Sequence, residues 1–244
     1  MPLYAGCPKC GAASDGQGAC PACGLIYAKY LKSLGGAPLR SLSAPVGESP
    51  LTSHVREMLF AVPDEVPAAA VAARAALLAL LAAYGVHLAA LDIPAGEIWG
   101  SLLHFPAVPI HEFGHVLFMP FGEFLHLLGG SLFQVGLPLV FGGILLAKNR
   151  DPFAAAVMLW WSSTQLLDVA PYVYDAFKPQ HILLTGRTGD TGAHDFIDVL
   201  GDLGLLNRAR GIGYGVHHFG VALMGAALAW AAAIVWRQFH ARKI

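Results

Sequence analysis

Charge is what this chain has least of. Only 13% of its 244 residues are Asp, Glu, Lys or Arg, about half the ~25% of a soluble domain, so an ordinary globular surface could not be covered. The formal net charge is −1, which excludes nucleic-acid binding by bulk electrostatics, and no nucleic acid is expected as a partner. No cysteine follows residue 23, which excludes a scaffold held by disulfides throughout. The same composition excludes a disordered chain and a coiled coil, and no internal repeat is present. What remains is 56% hydrophobic residues and a mean hydropathy of +0.56, the signature of an all-α polytopic membrane protein whose first partner is the membrane.

Five stretches are long and apolar enough to matter for a bilayer, given a need for about 20 residues per crossing. They run over 67–91, 98–121, 124–147, 152–177 and 211–236, with Arg74 near one end of the first, placed to snorkel. A polar loop, 178–210, separates the last two. Within it, Phe196, Ile197, Val199, Leu200 and Leu203 are spaced for an amphipathic helix lying along the membrane, with Asp198 and Asp202 on its solvated face. The glycines of 186–192 lack the Lys-Ser/Thr ending of a phosphate loop. Residues 31–66 are rich in Gly, Pro and Ser and read as a linker with one short helix near 54–60. Lys9, Lys29, Lys32, Arg40 and Arg56 precede the first span, and no Lys or Arg stands in the loop after it, so a cytosolic N-terminus in a bacterial inner membrane is expected. Five full crossings would put the basic tail Arg237, Arg242 and Lys243 on the opposite side, so either one segment is re-entrant or the tail breaks the rule.

The four cysteines form two knuckles, Cys7-Pro-Lys-Cys10 and Cys20-Pro-Ala-Cys23, each followed by a glycine, Gly11 and Gly24. Paired CxxC elements at this spacing can present four thiolates tetrahedrally to one Zn²⁺. Residues 1–30 resemble a zinc ribbon, a module too small to fold without its metal, and a protein partner for it is expected. No charged leader and cleavage site precede the cysteines, so no secretory signal is expected and the ribbon would face a reducing compartment.

The second apolar stretch carries His111-Glu112-Phe113-Gly114-His115. Residues four apart share a helix face, so His111 and His115 can offer an imidazole nitrogen each to one metal. Glu112 lies about 100° around the helix, placed to meet a water on that metal rather than the metal itself. Bound Zn²⁺ lowers the pKa of water to about 7, and a carboxylate beside it takes the proton and passes it to a leaving amine. An isolated charge at bilayer depth costs at least about 2.5–3.5 kcal/mol, so three ionisable residues within five positions call for a shared partner such as a divalent cation.

A catalytic zinc site takes three protein ligands and one open position. The metzincin pattern needs Gly and His where Phe118 and Phe121 stand, and no Glu follows Glu123. The third ligand is therefore expected to be Asp or His. Asp168 and Asp175, two helical turns apart in the fourth stretch, are the best candidates, and either completes a His₂Asp site. His194 and Asp195 form a second-choice pair should the polar loop fold back. His104 reads as core or interfacial, His217 and His218 as interfacial, and Gln134 as bonded to another helix rather than to a substrate backbone.

An HExxH in one membrane helix, a further span, then an Asp near a Pro in the next helix resembles the site-2 protease family of intramembrane zinc metallopeptidases. The resemblance covers roughly residues 98–177. It implies His111 and His115 as metal ligands, Glu112 as general base, and Asp175 as the third ligand, with Pro171 matching the family's Pro and Asp168 standing in place of its Asn. The match departs at this last motif: the Pro-to-Asp interval is one residue short, and Tyr174 and Ala176 replace Leu and Gly. Asp168 therefore stays an alternative ligand. The activity implied is endopeptidase cleavage of a membrane-protein substrate in or near the bilayer. The competing expectation is a non-catalytic metal-binding scaffold that docks through the ribbon.

Overall fold

A computed structural model describes residues 7–13, 18–33, 50–63, 65–184 and 186–241. Two compact units emerge, Met1–Ser53 and His54–Ile244. Residues 34–49 of the expected linker, and Arg242 and Lys243 of the tail, lie outside the described residues.

The first unit is built by its two knuckles. Each closes the same way: Gly11 N–H donates to the Cys7 carbonyl and Gly24 N–H to the Cys20 carbonyl, both at 2.8 Å. Gly11 at φ +74° and Gly24 at φ +71° occupy the left-handed region that favours glycine. A single antiparallel bridge joins Ala19 to Ile26, and helix α1 (Tyr27–Ser33) follows. Tyr27 is buried against Cys7 and Cys20, a core too small to hold the unit by apolar burial alone.

The second unit contains helices and no strand among its described residues. The short helix expected near 54–60 is present as α2 (Pro50–Phe60), whose end is tied down where Trp230 Nε1 donates to the Leu59 carbonyl at 2.8 Å. Then come α3 (Ala68–Ala89), α4 (His104–Phe118), α5 (Glu123–Ala147), α6 (Pro152–Asp175), α7 (Asp195–Asp202) and α8 (Ala209–Ala241). Gly122, at φ +93°, breaks the chain between α4 and α5. Asp151 caps α6 by accepting from Ala154 N–H at 3.1 Å, and Pro152 takes the first turn, where its missing N–H costs nothing.

Three helical stretches are long and apolar enough to cross a membrane: α3, α5, and Leu206–Ala241, which contains α8. The other two expected segments differ for separate reasons. The 98–121 stretch splits into a 3₁₀ turn at Glu97–Gly100, a 15-residue α4, and another 3₁₀ turn at Met119–Phe121. At 1.5 Å per residue, α4 rises about 22 Å, short of a hydrocarbon core of about 30 Å. Helix α6 is long enough but polar inside, with Ser162, Ser163, Thr164, Gln165 and Asp168 all buried. It is the central helix, packed by α5 and α8.

Small residues allow that packing. A Cβ on Gly213 would stand 2.9 Å from the Ala170 carbonyl, and one on Gly220 would stand 2.7 Å from a Leu167 methyl. Helix α7 is amphipathic as its spacing implies, with Asp198 and Asp202 exposed. Its apolar face, however, packs into the protein: Phe196, Val199 and Leu200 share a core with Val169, Val173 and Ala176 of the α6 region.

Candidate metal centre

Two groups of metal-ligand type form among the described residues. In the first unit, Cys7, Cys10, Cys20 and Cys23 bring their sulfurs within 4.8 Å of one another. Cys7 Sγ lies 3.6 Å from Cys23 Sγ, and Cys10 Sγ 3.7 Å from Cys20 Sγ. Tetrahedral thiolate sites with bonds of about 2.3 Å put their sulfurs about 3.8 Å apart, so a metal ion fits here. Burial pushes the Cys7 thiol up, but the Lys9 and Cys10 N–H groups and the sulfurs of Cys20 and Cys23 bring it down to about 6. The Leu25 N–H favours a Cys23 thiolate, yet burial and the sulfurs of Cys10, Cys7 and Cys20 push its thiol up to about 12.

The second group is His111, His115 and Asp195. The helical spacing of α4 puts the two imidazoles one above the other, ring centres 4.8 Å apart. Nε2 of each lies 3.2 Å from the same atom, Asp195 Oδ2. Bonds of about 2.0–2.1 Å around a tetrahedral ion set neighbouring donors about 3.3 Å apart, so this spacing fits too.

The far side of each ring is committed. His115 Nδ1 donates to the His126 carbonyl at 2.7 Å, and His126 Nδ1 donates back to the His115 carbonyl at 2.8 Å. His111 Nδ1 donates to Gln134 Oε1 at 3.0 Å. A ring protonated at Nδ1 presents a bare lone pair at Nε2, the form a metal needs. Helix α5 leaves room at that point. A Cβ on Gly130 would stand 2.6 Å from Nε2 of both His111 and His115, in the space an ion between them requires. Gly114 of α4 and Gly129 of α5 allow the close approach, since a Cβ on Gly129 would meet the Phe118 Cβ at 2.5 Å.

Asp195 arrives from α7, 84 residues beyond His111. Its backbone N–H donates to the Tyr172 hydroxyl at 3.0 Å, and the Tyr172 ring stacks on His194 with centres 4.3 Å apart. Burial pushes the Asp195 carboxyl up, but His111 and His115 outweigh it and hold the group well below the usual carboxylate range. It is an anion aimed at the two imidazoles.

Neither aspartate favoured from the sequence joins this group. Asp168 takes Gln134 Nε2–H on Oδ2 at 2.9 Å and His104 Nδ1–H on Oδ1 at 2.9 Å, so an amide stands between it and His111. Asp175 accepts from the Gln180 N–H at 2.9 Å and the His181 N–H at 3.4 Å, folding the start of the polar loop. Both lie on α6, but their partners lie in different places. His104, read as a core residue, serves Asp168, and Gln134 does bond to other helices. His194 is buried beside Asp195, 3.9 Å from an Asp175 oxygen. Burial pushes its pKa down, although Asp175 and Asp195 draw it up.

A cavity of about 620 Å³ opens onto the centre. Glu112 lines it together with His111, His115 and Asp195, and Trp99, His104 and Asp168 line it too. Ile182, Leu183 and Leu184 add an apolar wall. Sequence reasoning missed His126 and Gly130. The Gly129-Gly130 pair inside an apolar helix was the available signal for the latter. No family model, curated protein or solved structure matches this chain.

Proposed function

We propose that this chain is an integral membrane zinc metallopeptidase, similar in chemistry to the site-2 proteases, that cleaves a peptide bond in or beside the bilayer. One observation carries the reading. Two imidazole nitrogens each lie 3.2 Å from one carboxylate oxygen in a cavity that Glu112 also lines. His111, His115 and Asp195 would hold the ion, leaving one position open to the cavity. Zinc bound there supplies a Lewis acid for the scissile carbonyl and a water with a pKa of about 7.

The rest is the work of the chain. Glu112 accepts a proton from the attacking water and delivers it to the amine as the C–N bond breaks, so no net charge builds up over the cycle. The wall at Ile182 and Leu184 favours an apolar peptide. A helical substrate has its amides paired internally and must unwind locally to present a carbonyl. In this reading α4 and α6 sit in the bilayer beside the three long apolar helices, the N-terminus faces the cytosol of a bacterial cell, and the cysteine module is a zinc ribbon that docks a protein partner.

The test is the full chain in lipid vesicles, challenged with a library of apolar helical peptides. The parent is expected to cleave, and Glu112→Gln is expected to keep its zinc and lose cleavage. Cleavage by Glu112→Gln would overturn the assignment. Zinc without cleavage in the parent would leave a metal-binding scaffold.

A further inference from the structure

Asp168 is buried in the central helix yet is not a ligand. It has two side-chain donors: His104 on one oxygen and Gln134 on the other, both at 2.9 Å. Trp99 Nε1 donates to its backbone carbonyl at 3.0 Å, fixing that turn of α6. Gln134, 3% exposed, has both ends of its amide engaged. A glutamine amide has nearly the same shape in either orientation, and its surroundings decide which end faces which way. A carboxylate can only accept, so it draws the NH₂ end to itself. The oxygen end is thereby turned to His111 Nδ1, 3.0 Å away.

We propose that Asp168 is a positioning residue for the metal centre: by setting the Gln134 amide, it sets which nitrogen of His111 is left bare. With the amide reversed, its NH₂ would meet Nδ1, the ring proton would move to Nε2, and that proton would point at the ion's position. The series His104, Asp168, Gln134, His111 thus hands one hydrogen-bond polarity from α4 through α6 and α5 back to α4. It accounts for a carboxylate that apolar surroundings would otherwise disfavour. The inference rests on the metal reading of His111, His115 and Asp195, and not on hydrolysis.

Cobalt titration of the purified full chain in detergent tests it. Cobalt on the four thiolates gives intense sulfur-to-metal charge-transfer absorption, whereas cobalt on two imidazoles and a carboxylate gives only weaker ligand-field bands, so one sample reads both sites. In Asp168→Asn, the new NH₂ faces Gln134 and reverses it. Affinity at the histidine centre is expected to fall about 10-fold or more, with the cysteine site unchanged as an internal control of cobalt loading and unchanged helical circular dichroism as the control of folding. Adding Gln134→Glu restores an acceptor opposite His111 and a donor from residue 168, and is expected to recover most of the loss. Parental affinity in Asp168→Asn would overturn the proposal, as would a double variant no better than the single. A parent chain without ligand-field bands would overturn the metal centre itself.

Discussion

A Cβ added to Gly130 would lie 2.6 Å from Nε2 of His111. This helix therefore tolerates no side chain where it faces the two imidazoles, although alanine is the better helix former by about 1 kcal/mol.

Gly130→Ala is accordingly expected to disrupt the histidine centre and leave the cysteine site untouched. The substitution adds helix propensity but fills the space between His111 and His115. Metal analysis should find the histidine centre lost while the cysteine site stays loaded, and the melting temperature of the metal-free protein should fall too, since the added Cβ stands 2.6 Å from both imidazoles with or without an ion. Full occupancy of both sites would contradict the cavity described here.

The two acidic positions at the ends of the polar loop should behave in opposite ways. Asp195→Ala removes the oxygen 3.2 Å from both imidazoles and is expected to abolish metal at that centre. Asp175→Asn weakens the two backbone hydrogen bonds that fold 178–181. It should retain the metal while hydrogen exchange quickens at Gln180 and His181. Metal loss from Asp175→Asn with metal kept by Asp195→Ala would restore the aspartate that the family resemblance favours.

Cys20→Ser tests the first unit alone. Cys20 Sγ lies 3.7 Å from Cys10 Sγ and shares a small core with Tyr27. Replacing it is expected to unload the cysteine site and unfold 7–33, raising protease sensitivity there. The histidine centre, built wholly from 54–244, should keep its metal, and a simultaneous loss at both sites would refute that independence.

The helical spacing of His111 and His115 and the position of Glu112 were legible because one turn of helix is a local property. Asp195 was legible only as a second choice beside His194, because what brings it to them is the docking of α7. That docking depends on Phe196, Val199 and Leu200 finding a core rather than a lipid surface, and periodicity is the same in either case. The misleading weight on Asp168 and Asp175 came from treating a carboxylate in an apolar helix as a ligand by default. Asp168 instead has donors from α4 and α5, and Asp175 has backbone donors from the following loop. The run Ser162, Ser163, Thr164 and Gln165 was the overlooked sign. Four polar residues in succession face every side of a helix, so a helix that buries them all must be surrounded by protein.

The 84 residues between His111 and Asp195 also order events while the chain is being made. The ribosome needs on the order of ten seconds to add that length, and until it has done so the two imidazoles have no anion opposite them. A nascent chain thus carries only half of this cluster, and the carboxylate joins it after the central helix has been laid down to receive α7.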